Sequence, residues 1–116
     1  MNFDGVDDYV KIKDGKISSA TTGTISAWVK LNSLVNASKI VGYGGGAAAS
    51  VQAIFGLEIR QDGSNYYFSV ISVPYDGCAC ADSAHGSTVV QAGVWYHVAL
   101  TADGSSWKLY VNGVAE

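Results

Sequence analysis

Hydrophobic and polar residues alternate with period two over several short stretches of this chain. From Thr24 to Leu31, Ile25, Ala27, Val29 and Leu31 fall on one face, and Ser26, Trp28 and Lys30 on the other. Such alternation predicts a β-strand lying between two different environments. Tyr9 to Lys13 and Ser38 to Tyr43 predict two shorter strands. Ala53 to Arg60 sets Phe55, Leu57 and Ile59 on one face, and Asn65 to Val73 does the same with Tyr66, Phe68 and Val70. A four-residue loop, Gln61-Asp62-Gly63-Ser64, would pair Ile59 with Tyr66, Leu57 with Phe68 and Phe55 with Val70. A one-residue slip would put Phe68 opposite Glu58, so the pattern predicts a hairpin in which the apolar sets share a face. Trp95 to Ala102 and Trp107 to Gly113 flank a second Asp-Gly-Ser turn, Asp103-Gly104-Ser105-Ser106. Here Ala102 faces Trp107, Leu100 faces Leu109 and Val98 faces Val111. His97, Ala99, Tyr110 and Asn112 then gather on the opposite face. The two turns share chemistry, but their flanking strands differ, so they are not a repeat.

Between the strands lie stretches without packing side chains. Gly42 to Ser50 and Pro74 to Gly86 are rich in small residues and are expected to be the least ordered parts and the places where specificity resides. Val89-Val90 predicts a short strand before the Ala92-Gly93 turn. No segment has sustained helical periodicity.

Composition agrees. At 116 residues the chain makes one domain, 1–116, by the usual ~150 residues per domain. Residues are 48% hydrophobic and 15% charged, which excludes disorder. Glycine is abundant at 14, proline occurs once, and Tyr and Trp (7 and 3) are residues that favour pleated, half-buried surfaces. A net charge of −3, with Lys and Arg totalling 7, argues against nucleic acid or an anionic membrane as partner. No apolar run approaches the ~20 residues of a membrane span. Met1 leads directly into Asn2-Phe3-Asp4-Gly5 with no signal peptide, so the default expectation is cytoplasmic, unless an export signal lies outside the chain.

Three motifs, in order, resemble a known family. Phe3-Asp4-Gly5-Val6-Asp7-Asp8-Tyr9-Val10, then Thr24-Ile25-Ser26-Ala27-Trp28-Val29-Lys30, then Trp95-Tyr96-His97-Val98-Ala99-Leu100-Thr101 with Leu109-Tyr110-Val111-Asn112-Gly113 are similar to laminin-G-like jelly-roll domains of the concanavalin A-like lectin/glucanase superfamily. The resemblance implies an all-β fold, a two-sheet antiparallel β-sandwich with one sheet curved. Relatives continue with further strands after Tyr-Val-Asn-Gly, so this chain is expected to lack the family's last strands. The family is often secreted, which stands against the cytoplasmic default.

Candidate chemistry is sparse. The superfamily's glucanases place carboxylates along one strand in a Glu-x-Asp-x-x-Glu-like pattern. This chain has two glutamates, Glu58 and Glu116, and no acid stands two residues after Glu58. The expectation is that it is not an enzyme. Asp4, Asp7 and Asp8 cluster around Gly5 and offer oxygens to calcium, as some relatives do near this end of the fold; alternatively Asp4 and Asp7 cap a tight turn. No other cofactor is expected. Cys78-Ala79-Cys80 with Asp82 and His85 admits three readings: a zinc-type site, a small strained disulfide, or two reduced thiols. Trp28, His97 and Tyr110 share a parity opposite to the deduced core. They form either a platform on which sugar rings stack or packing on an outer sheet face.

Two functions follow as expectations. One is a non-catalytic module binding carbohydrate or glycoconjugate through Trp28, His97 and Tyr110. The other is a self-assembling protein, a homodimer or higher symmetric oligomer, whose edge comprises Tyr9, Val10, Ile12, Val111 and Val114.

Overall fold

The alternating segments pair into two four-stranded antiparallel sheets. The computed structural model describes residues 2–11, 22–43, 54–73 and 82–116. Among these, eight strands form: β1 (Thr22–Lys30), β2 (Ser38–Tyr43), β3 (Ile54–Asp62), β4 (Asn65–Val73), β5 (Asp82–Val89), β6 (Trp95–Asp103), β7 (Trp107–Val111) and β8 (Val114–Ala115). The first sheet has the order β1-β6-β7-β8 and the second β2-β3-β4-β5.

The predicted inward faces meet between the sheets. Leu57, Ile59 and Phe68 of the second sheet pack in one cluster with Tyr96, Val98, Leu109 and Val111 of the first. Phe68 and Tyr96 meet edge to face at 5.2 Å across the sandwich. The Tyr96 hydroxyl accepts the Gln91 N–H at 3.0 Å, so this buried ring keeps its polar tip satisfied.

The β6–β7 hairpin has the expected register: Ala102 with Trp107, Leu100 with Leu109, Val98 with Val111. The β3–β4 hairpin does not. Asp62 pairs with Asn65, Ile59 with Phe68 and Leu57 with Val70, so the loop contains two residues, not four. The shift is two residues, which leaves every side chain on its predicted face. Gly63, with φ of 58°, takes the left-handed conformation that the tight turn requires.

Two further expectations are corrected. Tyr9 to Lys11 are not in a strand, although Tyr9 to Lys13 alternates; five residues carry too weak a pattern to specify a pairing partner. Ile12 and Lys13 lie outside the described residues. A strand occupies Asp82–Val89, where the Pro74 to Gly86 connection was expected to continue and only Val89-Val90 to be extended. Its small residues gain their order from pairing with β4, as Val70 with Ala84 and Ser69 with His85. Likewise Gly42 and Tyr43 belong to β2; the rest of Gly42 to Ser50, and 74–81 with Cys78 and Cys80, lie outside the described residues. A two-residue strand follows the Tyr-Val-Asn-Gly segment. Asn112 and Gly113, with φ of 52° and 84°, form a tight turn into β8, which pairs Val111 with Val114 and Tyr110 with Ala115.

Beyond β8 the Glu116 carboxylate crosses to the second sheet. It accepts the N–H groups of Ser87 and Thr88 at 3.0 and 3.1 Å, and the Thr88 hydroxyl as well. Gly86 makes room for it, because a Cβ there would overlap the Glu116 carboxylate. The edges of the two sheets are thereby tied at one end.

Candidate functional site

The outer face of the first sheet follows from its registers. Lys30 stands opposite Trp95, Trp28 opposite His97, Ser26 opposite Ala99 and Thr24 opposite Thr101. Ala99 in turn faces Tyr110, and Thr101 faces Lys108. The residues between them along β1, Ile25, Ala27 and Val29, are half-buried toward the core, so the sheet has a wet and a dry side.

On the wet side, at the edge strand β1, the Trp28 ring lies 5.2 Å from the His97 ring, tilted by 52°. Trp28 is 68% exposed, an uncommon state for so large an apolar side chain. Trp95 is 58% exposed, and the Lys30 ammonium lies over its ring, 5.7 Å from the centroid. His97 is held from behind. Its N–H donates to the Asn112 side-chain oxygen at 2.9 Å, and its carbonyl accepts the Asn112 N–H at 2.7 Å. The positive-φ turn at Asn112 thus fixes the position of the residue on which Trp28 leans. Tyr110 is half-buried on the same face, one row along and two strands across from Trp28. At ~3.3 Å per residue and ~4.8 Å per strand, these backbone positions are ~12 Å apart.

The second sheet's outer face is different. One row crosses all four strands: Lys39, Glu58, Ser69 and His85. Glu58 is 0% exposed although it points away from the core. Its carboxylate accepts from the Lys39 ammonium and from Arg60 Nη1 at 3.3 Å. The Ser69 hydroxyl donates to the Ala84 carbonyl at 3.0 Å. His85 stacks on Tyr67 with centroids 4.6 Å apart, its Nδ1 is 2.8 Å from the Gly86 carbonyl, and its Nε2 is 3.5 Å from Asp62 Oδ2. Neither Glu58 nor this cluster was singled out as a site from the sequence. The signal was there, in Glu58, Arg60 and Asp62 at alternate positions of one strand, but their partners on β2 and β5 are distant in sequence. Glu58 and Asp62, the two acids of β3, each have partners of their own. Glu58 is engaged by two cations, and Asp62 Oδ2 faces His85 Nε2 at 3.5 Å.

The sequence-predicted residues fare unequally. Trp28 and His97 are brought into contact and Tyr110 onto their face. The carboxylates of Asp4, Asp7 and Asp8 converge, with one oxygen from each within 4.8 Å of the others. This donor set suits a hard cation and would supply three of its about six to eight oxygens. The turn also uses it directly: Val6 N–H donates to Asp4 Oδ1 at 2.8 Å and Asp4 N–H to Asp8 Oδ2 at 3.1 Å. Of the soft-metal set, His85 faces Asp62 and the Gly86 carbonyl, and the two cysteines lie outside the described residues. Of the expected oligomer edge, Val111 is a core residue because its strand parity turns it inward with Leu109, whereas Tyr9, Val10 and Val114 are exposed.

A laminin G family model, described as the concanavalin A-like lectin/glucanases superfamily, matches residues 4–116. The chain belongs to this superfamily. Comparison with curated proteins and with solved structures finds no match. In this concanavalin A-like sandwich, the face built on β1, β6 and β7 presents Trp28 and Trp95 to solvent.

Proposed function

We propose that this concanavalin A-like domain is a non-catalytic carbohydrate-binding module whose platform is the outer face of the first sheet. The observation that carries the reading is Trp28, a tryptophan on β1, 68% exposed and braced by His97. A sugar ring presents an apolar face that stacks on an indole, while its hydroxyls reach polar neighbours such as His97 and Ser26. A strand paired with β6 holds the ring in place before the ligand arrives, which lowers the entropic cost of binding. The test is a glycan-array screen followed by titration of Trp28→Ala. The variant should stay folded and lose glycan binding by at least about tenfold; unchanged binding would remove Trp28 from the site and the reading with it.

Self-assembly is the second reading, favoured by a specific observation. Tyr9, Val10 and Val114 are exposed, the last on the two-residue strand β8. A second copy covering them would withdraw apolar surface from water. Sedimentation at micromolar concentration checks it. A dimer broken by Val114→Asp would uphold self-assembly, and a stable monomer would exclude it.

A further inference from the structure

The charges on the platform name a class of carbohydrate. Along the first sheet's outer face, four side chains fall on one diagonal: Lys30 and Trp28 on β1, then Tyr110 and Lys108 on β7, with His97 and Ala99 of β6 between them. The backbone positions of the two lysines are ~20 Å apart, six residues along the strand direction and two strands across. The order is cation, aromatic, aromatic, cation. Among the described residues, the ion pairs are Glu58 with Lys39 and Arg60, and Asp62 with His85; Lys30 and Lys108 enter none. Among the described strand residues the acid on this face is Asp103, at its end, and its carboxylate is occupied by the N–H and hydroxyl groups of Ser105 and Ser106. The described part of a chain of net charge −3 thus carries an aromatic diagonal with, at each end, a cation that no described carboxylate pairs.

We propose, building on the platform reading above, that this diagonal takes an extended acidic polysaccharide whose charge is a ring carboxylate, a polyuronate. A single small anion cannot meet both lysines across ~20 Å, whereas a chain of several residues can. A carboxylate attached at the ring edge leaves the apolar ring face free to stack on Trp28 and lies beside it, where Lys30 stands two residues along the same strand. A sulfate ester adds a bulky tetrahedral group that swings out of the ring plane. Lysine suits this role: its ammonium is a point charge on a flexible stem and can follow a charge that repeats along a chain.

The experiment uses the whole chain and two probes with the same backbone, polygalacturonate and its fully methyl-esterified, uncharged counterpart, with dextran sulfate as a third arm. Tryptophan fluorescence and calorimetry give the affinities, and thermal melts confirm that each variant is folded. The expected result is a preference for polygalacturonate over the ester of about tenfold at low salt. That preference should fade from about 20 mM to about 500 mM salt, as the screening length shrinks. In Lys30→Gln/Lys108→Gln the ratio of the two affinities should fall to about one. Equal affinity for both polymers, or a preference that survives the double substitution, overturns the proposal and leaves the platform intact. Tighter binding to dextran sulfate overturns the choice of carboxylate. Binding to neither galacturonan also overturns it, and the platform then stands or falls on the glycan array and Trp28→Ala alone.

Discussion

The two outer faces of the sandwich have the same strand architecture and opposite uses of polar chemistry. On the second sheet the polar groups satisfy one another. Glu58 lies fully buried between Lys39 and Arg60, Ser69 bonds to β5, and His85 lies on Tyr67 beside Asp62. On the first sheet the side chains make few mutual bonds: Trp28 and Trp95 stand in water and Lys30 lies over a ring instead of a carboxylate. A network that is closed on itself has little left to give a ligand, whereas an open aromatic face has its desolvation still to gain. The difference is the ground on which recognition is proposed for the first sheet and not for the second.

The sharpest way to break that comparison is with the aromatic residues of the core and the platform. Phe68→Ala should cost about 3–5 kcal/mol, because it opens a cavity between the sheets. Trp28→Ala, an equally large truncation, should change stability by no more than about 0.5 kcal/mol, since its ring is already in water. Urea unfolding measures both, and a loss at Trp28 comparable with that at Phe68 would make the platform a second core.

A smaller effect tests the closed network. Replacing both cations, Lys39→Met with Arg60→Met, strands the buried Glu58 carboxylate and should cost about 3 kcal/mol. Glu58→Gln should cost less, about 1–2 kcal/mol, because Lys39 and Arg60 are each about half exposed and can turn to solvent. The reverse ranking would show that the anion, not its burial, organises this face.

The smallest effect concerns the two Asp-Gly-Ser turns. Asp103 accepts from Ser105 and Ser106, first from the Ser105 N–H, and these bonds hold its carboxyl well below the usual range. A folded value below the unfolded one means that the turn stabilises the protein above about pH 4 and that this contribution is lost as pH falls further. Asp103→Asn should therefore be less stable than the parent at pH 7, with the gap closing below about pH 4. Chemical denaturation across that range checks it; a gap that is constant with pH would mean that the turn does not depend on the charge.

Those turns also show where sequence reasoning stops. Both hairpins carry Asp-Gly-Ser, and the same four-residue loop was expected for each. In the second, Ser106 supplies an N–H and a hydroxyl to Asp103, and the loop keeps four residues. In the first, the corresponding position is Asn65, which enters β4 opposite Asp62, while the Asp62 carboxylate turns to His85 on β5. The second partner comes from a strand twenty residues away, so no local pattern announces it.

By itself the sequence determined which side chains share a face. Period two is a local property of an extended chain, so Ile25, Ala27 and Val29 had to part from Trp28, and Val98 and Leu109 from His97 and Tyr110. It determined the all-β class and the β6–β7 register for the same reason. The tertiary structure alone decided what each face meets. It buried Glu58 on a face that parity marks as outward, by bringing Lys39 from β2. It made a strand of Asp82–Val89, whose residues have little to bury, by giving them the edge of β4. It turned Val111 into the core and left Val114, three residues on, in water. Each of these rests on contacts between segments far apart in the chain, and their energy belongs to pairs of positions that periodicity cannot relate.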